Sequence, residues 1–301
     1  MGISQYIKEI GRGKEGARSL SRVQAADLFG QVLDGSLTDL EIGGFCLAMR
    51  IKGETAQEMA GFLDATEQRL AKIPAPKGLV IVIPSYNGAR KLPGLTPLLG
   101  LLLSRQGFSV LIHGTATEST RIFTSDVLKA LEIKEQTAIN EIAPGELMFT
   151  PTALLCPGLQ RLLDVRRVVG LRNPAHSLVK LMSPIKGKSL LVSSYTHPEY
   201  AQSMAATFTL MKSNALLLRG TEGEPVADAR RIPQMEGFVH GHRVALQTAQ
   251  SGTLASLPDL PKTADAQTTA SYIWDVLANK TPIPEPIALQ VEHVLNLLSK
   301  I

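Results

Sequence analysis

Leu79-Val80-Ile81-Val82-Ile83 is an unbroken apolar run, and it decides the fold class. A strand that is covered on both faces has this pattern, because its side chains must avoid water whichever way they point. Similar runs predict strands at 109–113, 189–193 and 215–219. Helical patterns lie between or after the strands, at 96–106, 125–131, 197–211, 266–278 and 285–299. This alternation predicts an α/β domain with a mostly parallel central sheet flanked by helices.

The first third of the chain has a different, helical pattern. Ser21, Thr38 and Thr55 each precede a run of apolar residues at three- and four-residue spacing, and a glycine ends each of the first two runs. Glu58 follows Thr55 at the spacing of a capping box. Three short helices with tight turns predict a small N-terminal bundle, whose remaining apolar surface is a candidate homodimer face.

Two prolines suggest where the domains divide. Pro74 and Pro76 interrupt the helical pattern and suit an extended linker. We therefore expect a helical domain over residues 1–72, completed by a returning segment near residues 160–185. The larger α/β domain is expected over residues 73–301.

Composition narrows the class of protein. The chain has 301 residues, of which 44% are hydrophobic and 19% are charged, as in ordinary globular proteins. It has no apolar run of about 18 residues, so we expect no membrane span. The first residues lack the pattern of a signal peptide, and the widely separated Cys46 and Cys156 favour reduced core thiols. These features predict a cytoplasmic protein.

Positive charge is concentrated between Gln160 and Leu190. This window contains seven Lys or Arg residues and one acid, Asp164, a net charge of +6, whereas the whole chain has +4. Such a concentration attracts phosphate-rich partners, because each cation that meets a phosphate releases a condensed counterion. A solvated helix face whose charges pair with acids elsewhere in the fold is the alternative. One Trp and five Tyr provide little material for stacking unpaired bases.

The candidate contacts for nucleic acid come from this window and from a second basic strip near the N-terminus. They are Arg12, Lys14, Arg18, Arg161, Arg166, Arg167, Arg172, Lys180, Lys186 and Lys188. Adjacent helical residues point about 100° apart, so at most one of Arg166 and Arg167 faces a given surface. Either one alternatively pairs with Asp164 or a more distant acid. For Arg230 and Arg231, internal salt bridges with nearby acids are an equal alternative.

Three loops follow strands of the predicted sheet, at 84–91, 113–119 and 219–225. Ligands bind at the carboxyl ends of the strands in such sheets, so functional groups are expected in these loops. His113 ends one of these strands. One interpretation of it is a catalytic base, and the alternative is a structural histidine held by hydrogen bonds. His240 and His242 lack a third ligand at metal spacing, so we expect no metal site there.

These loops and the helical bundle before them resemble the anthranilate phosphoribosyltransferase family, glycosyltransferase family 3, over nearly the whole chain. The resemblance implies a fold like that of nucleoside phosphorylases and phosphoribosyltransferases. Where the family has a glycine-rich loop that holds the pyrophosphate of phosphoribosyl pyrophosphate, this chain has Ser85-Tyr86-Asn87-Gly88. The family's Lys-His-Gly-Asn corresponds to Ile112-His113-Gly114-Thr115. The resemblance therefore implies a vestigial phosphate pocket of Ser85, Asn87, Gly88, His113, Gly114 and Thr115.

Other motifs of that family are altered. The segment that shapes the aromatic-substrate pocket keeps Arg172 but has Lys180 in place of glycine or proline. The Asp-Glu pair that holds magnesium falls near Pro225-Val226, which cannot ligate a metal, although Glu222 and Glu224 are close by. The pyrophosphate clamp and its metal, which the reaction needs together, are both degenerate. We therefore expect no catalytic residue and no cofactor.

Three motifs resemble the YbiB-like branch of this family. They are Ile10-Gly11-Arg12-Gly13-Lys14, Arg50-Ile51-Lys52-Gly53-Glu54-Thr55 and Arg219-Gly220-Thr221-Glu222-Gly223-Glu224-Pro225. That branch implies a protein that keeps the fold, lacks the transferase activity and binds DNA or RNA as a homodimer with little sequence preference.

The sequence leads to two main hypotheses about function and to a third possibility. The first is a non-catalytic homodimer that binds DNA or RNA backbones along a basic groove. The alternative is an active phosphoribosyltransferase that uses phosphoribosyl pyrophosphate, an aromatic acceptor and Mg²⁺. The third is a structural dimer whose old pocket binds another phosphate-bearing small molecule. Steep salt dependence of polynucleotide binding is expected only for the first.

Overall fold

The computed structural model describes residues 2–13, 15–75 and 78–301. It begins with the helices α1 (Ser4–Ile10), α2 (Arg22–Asp34), α3 (Asp39–Lys52) and α4 (Ala56–Glu67). Capping boxes start α2, α3 and α4, with Ser21, Thr38 and Thr55 as the N-cap residues. The predicted bundle is present. Helix α1 has no counterpart in the prediction, because its seven residues contain too little periodicity.

An aromatic cluster holds this bundle together. Phe29, Phe45 and Phe62, from α2, α3 and α4, are fully buried. The rings of Phe29 and Phe62 stack with centroids 4.6 Å apart, and Phe45 meets both of them edge-on. Such packing contributes beyond simple burial of apolar area, so it fixes the helices relative to one another.

The strands that follow build one large sheet and one small pair. They are β1 (Ile73–Pro74), β2 (Val80–Ser85), β3 (Ser109–Gly114), β4 (Leu147–Pro151), β5 (Ile185–Lys186), β6 (Ser189–Tyr195), β7 (Ala215–Arg219), β8 (Met235–Val239) and β9 (His242–Gln247). The large sheet has the order β4-β3-β2-β6-β7-β8-β9, while β1 pairs with β5. Its first five strands run in parallel, and β8 and β9 join antiparallel.

Helices cover both faces of the large sheet. The α/β part contains α5 (Thr96–Ser104), α6 (Thr124–Ala130), α7 (Thr152–Leu155), α8 (Pro157–Val169), α9 (Ala175–Leu178), α10 (Pro198–Leu210), α11 (Ala266–Leu277) and α12 (Glu285–Leu298). Side chains of α5, α6, α11 and α12 form one apolar core, and the bundle, α8, α9 and α10 form the other. The predicted class, a helical bundle plus an α/β domain with a mostly parallel sheet, is confirmed.

The returning segment lies against the bundle. Helix α8 packs against α2, and α9 packs against α4. The chain therefore comes back to extend the helical domain after it has started the sheet. The exact division at residue 72 stays a prediction.

Three strands of the sheet, β4, β8 and β9, have no counterpart in the sequence prediction. β4 is short and ends in Pro151, and β8 includes Glu236 and Gly237. β9 lies at the edge of the sheet, where its residues are exposed or half-buried. None of the three has an apolar run longer than three residues or a strict alternation, and longer runs or alternation are the patterns that reveal strands.

One further property concerns the helices. Within the part of the chain that the structure describes, none is both long enough and apolar enough to span a bilayer.

Candidate functional site

The loops that follow β2 and β7 meet at the carboxyl edge of the sheet. Only β6 separates these two strands, so the loop that starts at Ser85 faces the loop at Gly220–Glu224. This is the edge at which sheets of this kind bind ligands. Four donors of the first loop and of α5 converge there and are termed the anion cradle: Ser85 Oγ, Asn87 N, Gly88 N and Thr96 Oγ1.

The carboxylate of Glu224 fills the anion cradle. Its Oε1 accepts hydrogen bonds from the backbone N–H groups of Asn87 (2.6 Å) and Gly88 (2.9 Å). Its Oε2 accepts from the hydroxyls of Ser85 and of Thr96, the latter at 3.2 Å. Glu224 is only 3% exposed. A set of donors with the geometry of an anion site therefore already holds an anion from its own chain.

Gly88 gives the loop the conformation that this arrangement needs. Its φ is +70°, and a Cβ atom there would lie 3.0 Å from the carbonyl oxygen of Ile122. Glycine adopts such a φ at little cost, so two successive N–H groups can point at one carboxylate oxygen. Arg121 Nη1 also donates to the Gly88 carbonyl at 3.1 Å, which anchors the turn from the side of β3.

Glu222 binds the continuation of the same loop. Its carboxylate accepts from the backbone N–H groups of Arg90, at 2.7 Å, and Lys91, at 3.1 Å. Glu222 has a positive φ of 53°, an unfavourable conformation for a residue with a side chain. The two carboxylates together satisfy four backbone N–H groups of the β2 loop, and these bonds offset the strain at Glu222.

Lys180 is buried beneath this loop, which corrects its prediction as an exposed contact for nucleic acid. Its Nζ donates to the carbonyl oxygen of Gly223 at 2.8 Å, and the carbonyl of Ser194 lies at 3.4 Å. Burial lowers the pKa of Lys180 to about 8, and the opposing charge of Glu224 limits the decrease. Lys180 thus holds the segment that carries Glu224, and its charge faces inward.

His113 and its neighbours are structural, and do not line a pocket with Ser85 and Asn87. His113 is fully buried, its Nδ1 lies 2.8 Å from the Tyr86 hydroxyl, and burial lowers its pKa to about 3. A Cβ on Gly114 would lie 2.1 Å from the Ser85 carbonyl oxygen, so Gly114 permits the close approach of β2 and β3. Thr115 is half-buried beyond the strand end. The predicted six-residue phosphate pocket is therefore reduced to Ser85, Asn87 and Gly88.

A cavity of about 640 Å³ lies beside the cradle, between the bundle and the sheet. Its lining includes the cations Arg50, Arg121, Arg172 and Lys180 and the acids Glu54, Glu199 and Glu222. Burial lowers the pKa of Arg172, and the nearby Arg166 and Arg121 lower it further. Among the described residues, no carboxylate lies within 4.0 Å of the Arg172 guanidinium.

A single acid serves the arginines at the mouth of this cavity. Glu118 lies 2.8 Å from Arg166 and 3.4 Å from Arg121. Burial raises the pKa of Glu118, but the bonds from Thr120 and Arg166 outweigh that effect, and its pKa is lowered. Arg121 and Arg166 thus share one carboxylate, and Arg172 beside them has none within 4.0 Å among the described residues, so the mouth of the cavity has an excess of positive charge.

The basic window does not form one continuous track. Arg166 and Arg167, at the end of α8, reach the loop after β3 at the carboxyl edge of the sheet. Lys186 and Lys188 are exposed at the amino edge, where Lys188 precedes β6 and its Nζ lies 3.0 Å from the carbonyl of Ile301. A strand of six residues separates the two edges by roughly 20 Å. The prediction of one groove lined by all of these residues is therefore wrong.

The other predicted contacts have local partners. Arg167 lies 3.2 Å from Asp164, and Arg161 donates to the carbonyl oxygen of Leu33 at 2.8 Å. Near the N-terminus a single acid, Glu9, lies 2.8 Å from Arg12 and 3.7 Å from Arg18. Lys14, the remaining candidate, lies outside the described residues.

Several groups of these sites are not among the predicted site residues. They are Arg50, Lys91, Thr96, Glu118, Arg121 and Arg219, together with Glu222 and Glu224, which the sequence analysis names only as carboxylates near the altered magnesium pair. The rule that ligands bind at the carboxyl ends of strands does point to the loops that contain most of them. It does not reveal that one loop inserts its carboxylates into another.

Metal-binding groups are sparse. Among the described residues, no three His, Cys, Asp or Glu side chains are grouped so that they could hold a metal ion. Glu222 and Glu224 are the carboxylates nearest the cradle, and N–H or O–H donors occupy their oxygens. This arrangement does not fit a magnesium ion, which requires free oxygen ligands.

Comparison with known proteins places the chain in a family. Residues 4–69 match the glycosyl transferase family, helical bundle domain. The uncharacterized protein YbiB of Escherichia coli (strain K12) is 40% identical over 97% of this chain and 92% of its own length. An anthranilate phosphoribosyltransferase of Salinispora arenicola (strain CNS-205) is 26% identical over 97% of this chain and 84% of its own.

The fold has solved counterparts. The crystal structure of anthranilate phosphoribosyltransferase from Thermus thermophilus superimposes with a TM-score of 0.71 at 18% identity, covering 98% of this chain and 97% of that one. The Saccharomyces cerevisiae enzyme in complex with PRPP and Mg gives a TM-score of 0.71 at 15% identity, covering 99% and 88%. The chain therefore belongs to the family of YbiB, within the wider group of glycosyltransferase family 3 proteins that share the anthranilate phosphoribosyltransferase fold.

Proposed function

We propose that this protein is a non-catalytic member of its fold group that binds DNA or RNA through the phosphate backbone, as a homodimer and with little sequence preference. The observation that carries the proposal is the Glu224 carboxylate in the anion cradle. In the related transferases a loop at this place is expected to hold pyrophosphate. Here the same donors are saturated by a buried side chain of the protein.

Expelling Glu224 is energetically costly. A pyrophosphate group that entered the cradle would have to displace a carboxylate that accepts four hydrogen bonds of 3.2 Å or less and is buried near Lys180. Hydrogen bonds to a charged group contribute about 1.5–3 kcal/mol each. Magnesium would meet carboxylates that are already bound by N–H donors. We therefore propose that the protein needs neither magnesium nor another cofactor.

The carboxyl edge of the sheet supports binding of a polyanion. Arg121 and Arg166 share Glu118, Arg172 beside them has no carboxylate within 4.0 Å among the described residues, and the exposed Arg167, paired with Asp164, extends the cluster along α8. Excess cations that the fold does not neutralise are available to phosphates, and each contact releases a counterion. With few aromatic side chains nearby, recognition rests on charge, so it discriminates little between sequences.

Helix α3 supports the homodimer. Leu40, Leu47 and Ile51 lie on α3 and are exposed, Leu40 by 87%. Apart from its neighbours and the backbone of its own helix, a Cβ atom on Gly43 would meet nothing within 4 Å, so the surface there is open to close approach. An exposed apolar helix face in a small bundle suits an isologous contact with a second copy. Replacing Leu47 and Ile51 with Glu should yield a folded monomer in light scattering, whereas Val168→Glu, which alters an exposed apolar residue on α8, should leave the dimer intact.

The cytoplasm is the compartment we propose. Cys46 and Cys156 are both free and buried, and burial raises the pKa of Cys46 to about 12. Unreactive thiols of this kind agree with a reducing environment.

A phosphoribosyltransferase is the second candidate function, and one observation favours it. The cavity of about 640 Å³ is large enough for a small aromatic acid, and it presents Arg172 without a carboxylate partner among the described residues. An arginine in such a place pairs well with a carboxylate of a ligand. This activity would require Glu224 to leave the cradle.

Two measurements on the same preparation separate these candidates. The first follows the fluorescence anisotropy of a labelled 20-nucleotide strand between about 50 and 200 mM salt, where phosphate contacts should lower affinity steeply. The second follows magnesium-dependent release of pyrophosphate from phosphoribosyl pyrophosphate with anthranilate. We expect salt-dependent binding and no release. Salt-independent or undetectable binding would contradict the proposal, and release of pyrophosphate would establish the alternative.

A further inference from the structure

A second, larger groove lies at the same edge of the sheet, and no function above requires it. It has a volume of about 1200 Å³ and runs between α10, the end of β7 and the loops around β8 and β9. Its floor is a face of α10 on which most side chains are small or apolar, with two polar ones among them: Pro198, Ala201, Gln202, Ala205, Ala206, Thr209 and Leu210. It is termed the α10 groove.

Cations surround the α10 groove on four separate elements. They are Lys91 after β2, Arg219 at the end of β7, Arg230 and Arg231 before β8, and Arg243 on β9. Three acids line the groove as well: Glu222, Asp228 and Glu236. The lining therefore has five cations against three carboxylates, a net charge of +2.

The acids of the groove are already engaged. Asp228 lies 2.9 Å from Arg230 and 3.3 Å from Arg231, so one carboxylate serves two arginines. Glu236 pairs with Arg243, and Glu222 accepts the backbone N–H groups of the β2 loop.

Two cations of the groove have no such partner. Within residues 2–13, 15–75 and 78–301, no carboxylate lies within 4.0 Å of the charged groups of Lys91 or Arg219. Both residues are exposed, and they come from neighbouring loops at the carboxyl edge. An exposed cation without a partner can pair with a ligand without first breaking an ion pair inside the protein.

We propose that the α10 groove binds a single strand of nucleic acid, with phosphates on the cationic rim and sugars and bases on the α10 floor. The inference rests on the proposed function and adds to it a second surface at the same edge of the sheet, separate from the arginines around Glu118. A phosphodiester chain has one charge per nucleotide, so it can meet cations on four elements at once, whereas one small anion cannot. Tyr195 is the aromatic residue of the lining, so stacking contributes little and the preference for sequence is low.

Charge reversal at the two unpaired cations tests the assignment. The groove variant is Lys91→Glu with Arg219→Glu, and the matched control is Lys186→Glu with Lys188→Glu at the amino edge. Both pairs change the net charge by the same amount on exposed residues. Binding of a labelled 20-nucleotide DNA strand is measured by anisotropy across the salt range, with circular dichroism as the check of folding.

We expect the groove variant to bind about 100-fold more weakly and to lose about 1 from the salt slope for each phosphate contact removed. The control variant should change affinity by about threefold or less, as expected of screened distant charges. The neutral variant Lys91→Gln with Arg219→Gln should fall between the wild type and the reversed variant.

Other outcomes would overturn the assignment in distinguishable ways. If the wild type binds the strand and the groove variant binds equally well with the same slope, the groove assignment fails and the proposed function stands. If the wild type does not bind the strand at all, both fail. If a polyglutamate of matched length competes with equal affinity, the groove is a site for acidic peptides and the assignment to nucleic acid fails.

Discussion

The anion cradle and the α10 groove lie at the same edge of one sheet, but they differ in whether a carboxylate of the protein occupies their anion-binding groups. In the cradle, Glu224 satisfies the donors of the β2 loop, so the protein itself supplies the anion. In the groove, Lys91 and Arg219 face solvent without a carboxylate partner among the described residues. Donors and cations can bind an external anion only where no carboxylate of the protein already occupies them.

Glu222 connects the two regions. It lines both the cavity beside the cradle and the α10 groove, and its carboxylate caps the β2 loop. The short segment from Gly220 to Glu224 therefore closes one anion site and forms the wall of another. A change in that segment should affect the two regions differently.

The largest expected effect is on stability, from Glu224→Ala. The variant leaves two buried N–H groups and the Thr96 hydroxyl without their acceptor, while the Ser85 hydroxyl keeps only its bond to Thr124 Oγ1. We expect a loss of about 3 kcal/mol or more in the free energy of unfolding, measured with urea. Adding inorganic phosphate should restore part of it. The surface variant Glu292→Ala is the control and should change stability by less than about 0.5 kcal/mol; an equally small loss for Glu224→Ala would mean that the cradle is not filled as described.

The next effect is a pH dependence that arises from Lys180. Burial lowers its pKa from an ordinary value of 10.5 to about 8, so between these values the unfolded chain holds a proton that the folded chain has released. Stability should therefore rise with pH in this window, by about 1.4 kcal/mol per pH unit at most. The penalty of burying the charge is fully present below pH 8.

Lys180→Met removes that titration. Urea unfolding at pH 7, 8, 9 and 10 should show a smaller slope of stability against pH in the variant than in the wild type. Identical slopes in the two proteins would show that Lys180 has an ordinary pKa and is not enclosed beneath the segment that carries Glu224.

The smallest effect is expected at Arg172, where the fold leaves a cation unsatisfied. Its pKa is lowered by burial and by Arg166 and Arg121. Replacing it with Met removes repulsion and desolvation, so we expect unchanged or slightly higher stability, by up to about 1 kcal/mol. Thermal unfolding at low salt measures this. A loss of several kcal/mol would indicate a partner for Arg172 inside the protein.

The sequence predicts the scaffold well because the scaffold depends on local patterns. Ser21, Thr38 and Thr55 are N-caps because their side chains bond to the backbone three residues on, which spacing alone reveals. The run from Leu79 to Ile83 becomes the central strand because it is apolar on both faces. The strands β8 and β9 lack such patterns and owe their position to pairing, β8 with β7 and β9 with β8.

The site depends on contacts that local patterns do not encode. Glu224 meets Asn87 across β6, a separation of 137 residues in the chain. The charge of Lys180 predicts an exposed position, but its Nζ bonds to the carbonyl of Gly223 and the residue is only 7% exposed. Lys186 and Arg166 belong to one basic window in sequence, whereas the sheet separates them to opposite edges. Charged residues that are close in sequence are therefore not always close in the fold, so the basic window does not form one charged surface.

Calorimetric titration with pyrophosphate in the presence of magnesium tests most directly whether the protein fills its own anion cradle. The wild type and Glu224→Ala are titrated side by side, with Glu292→Ala as the control. We expect no binding to the wild type or to the control, and measurable binding to Glu224→Ala. Binding of magnesium pyrophosphate to the wild type, with an affinity that Glu224→Ala leaves unchanged, would contradict this account.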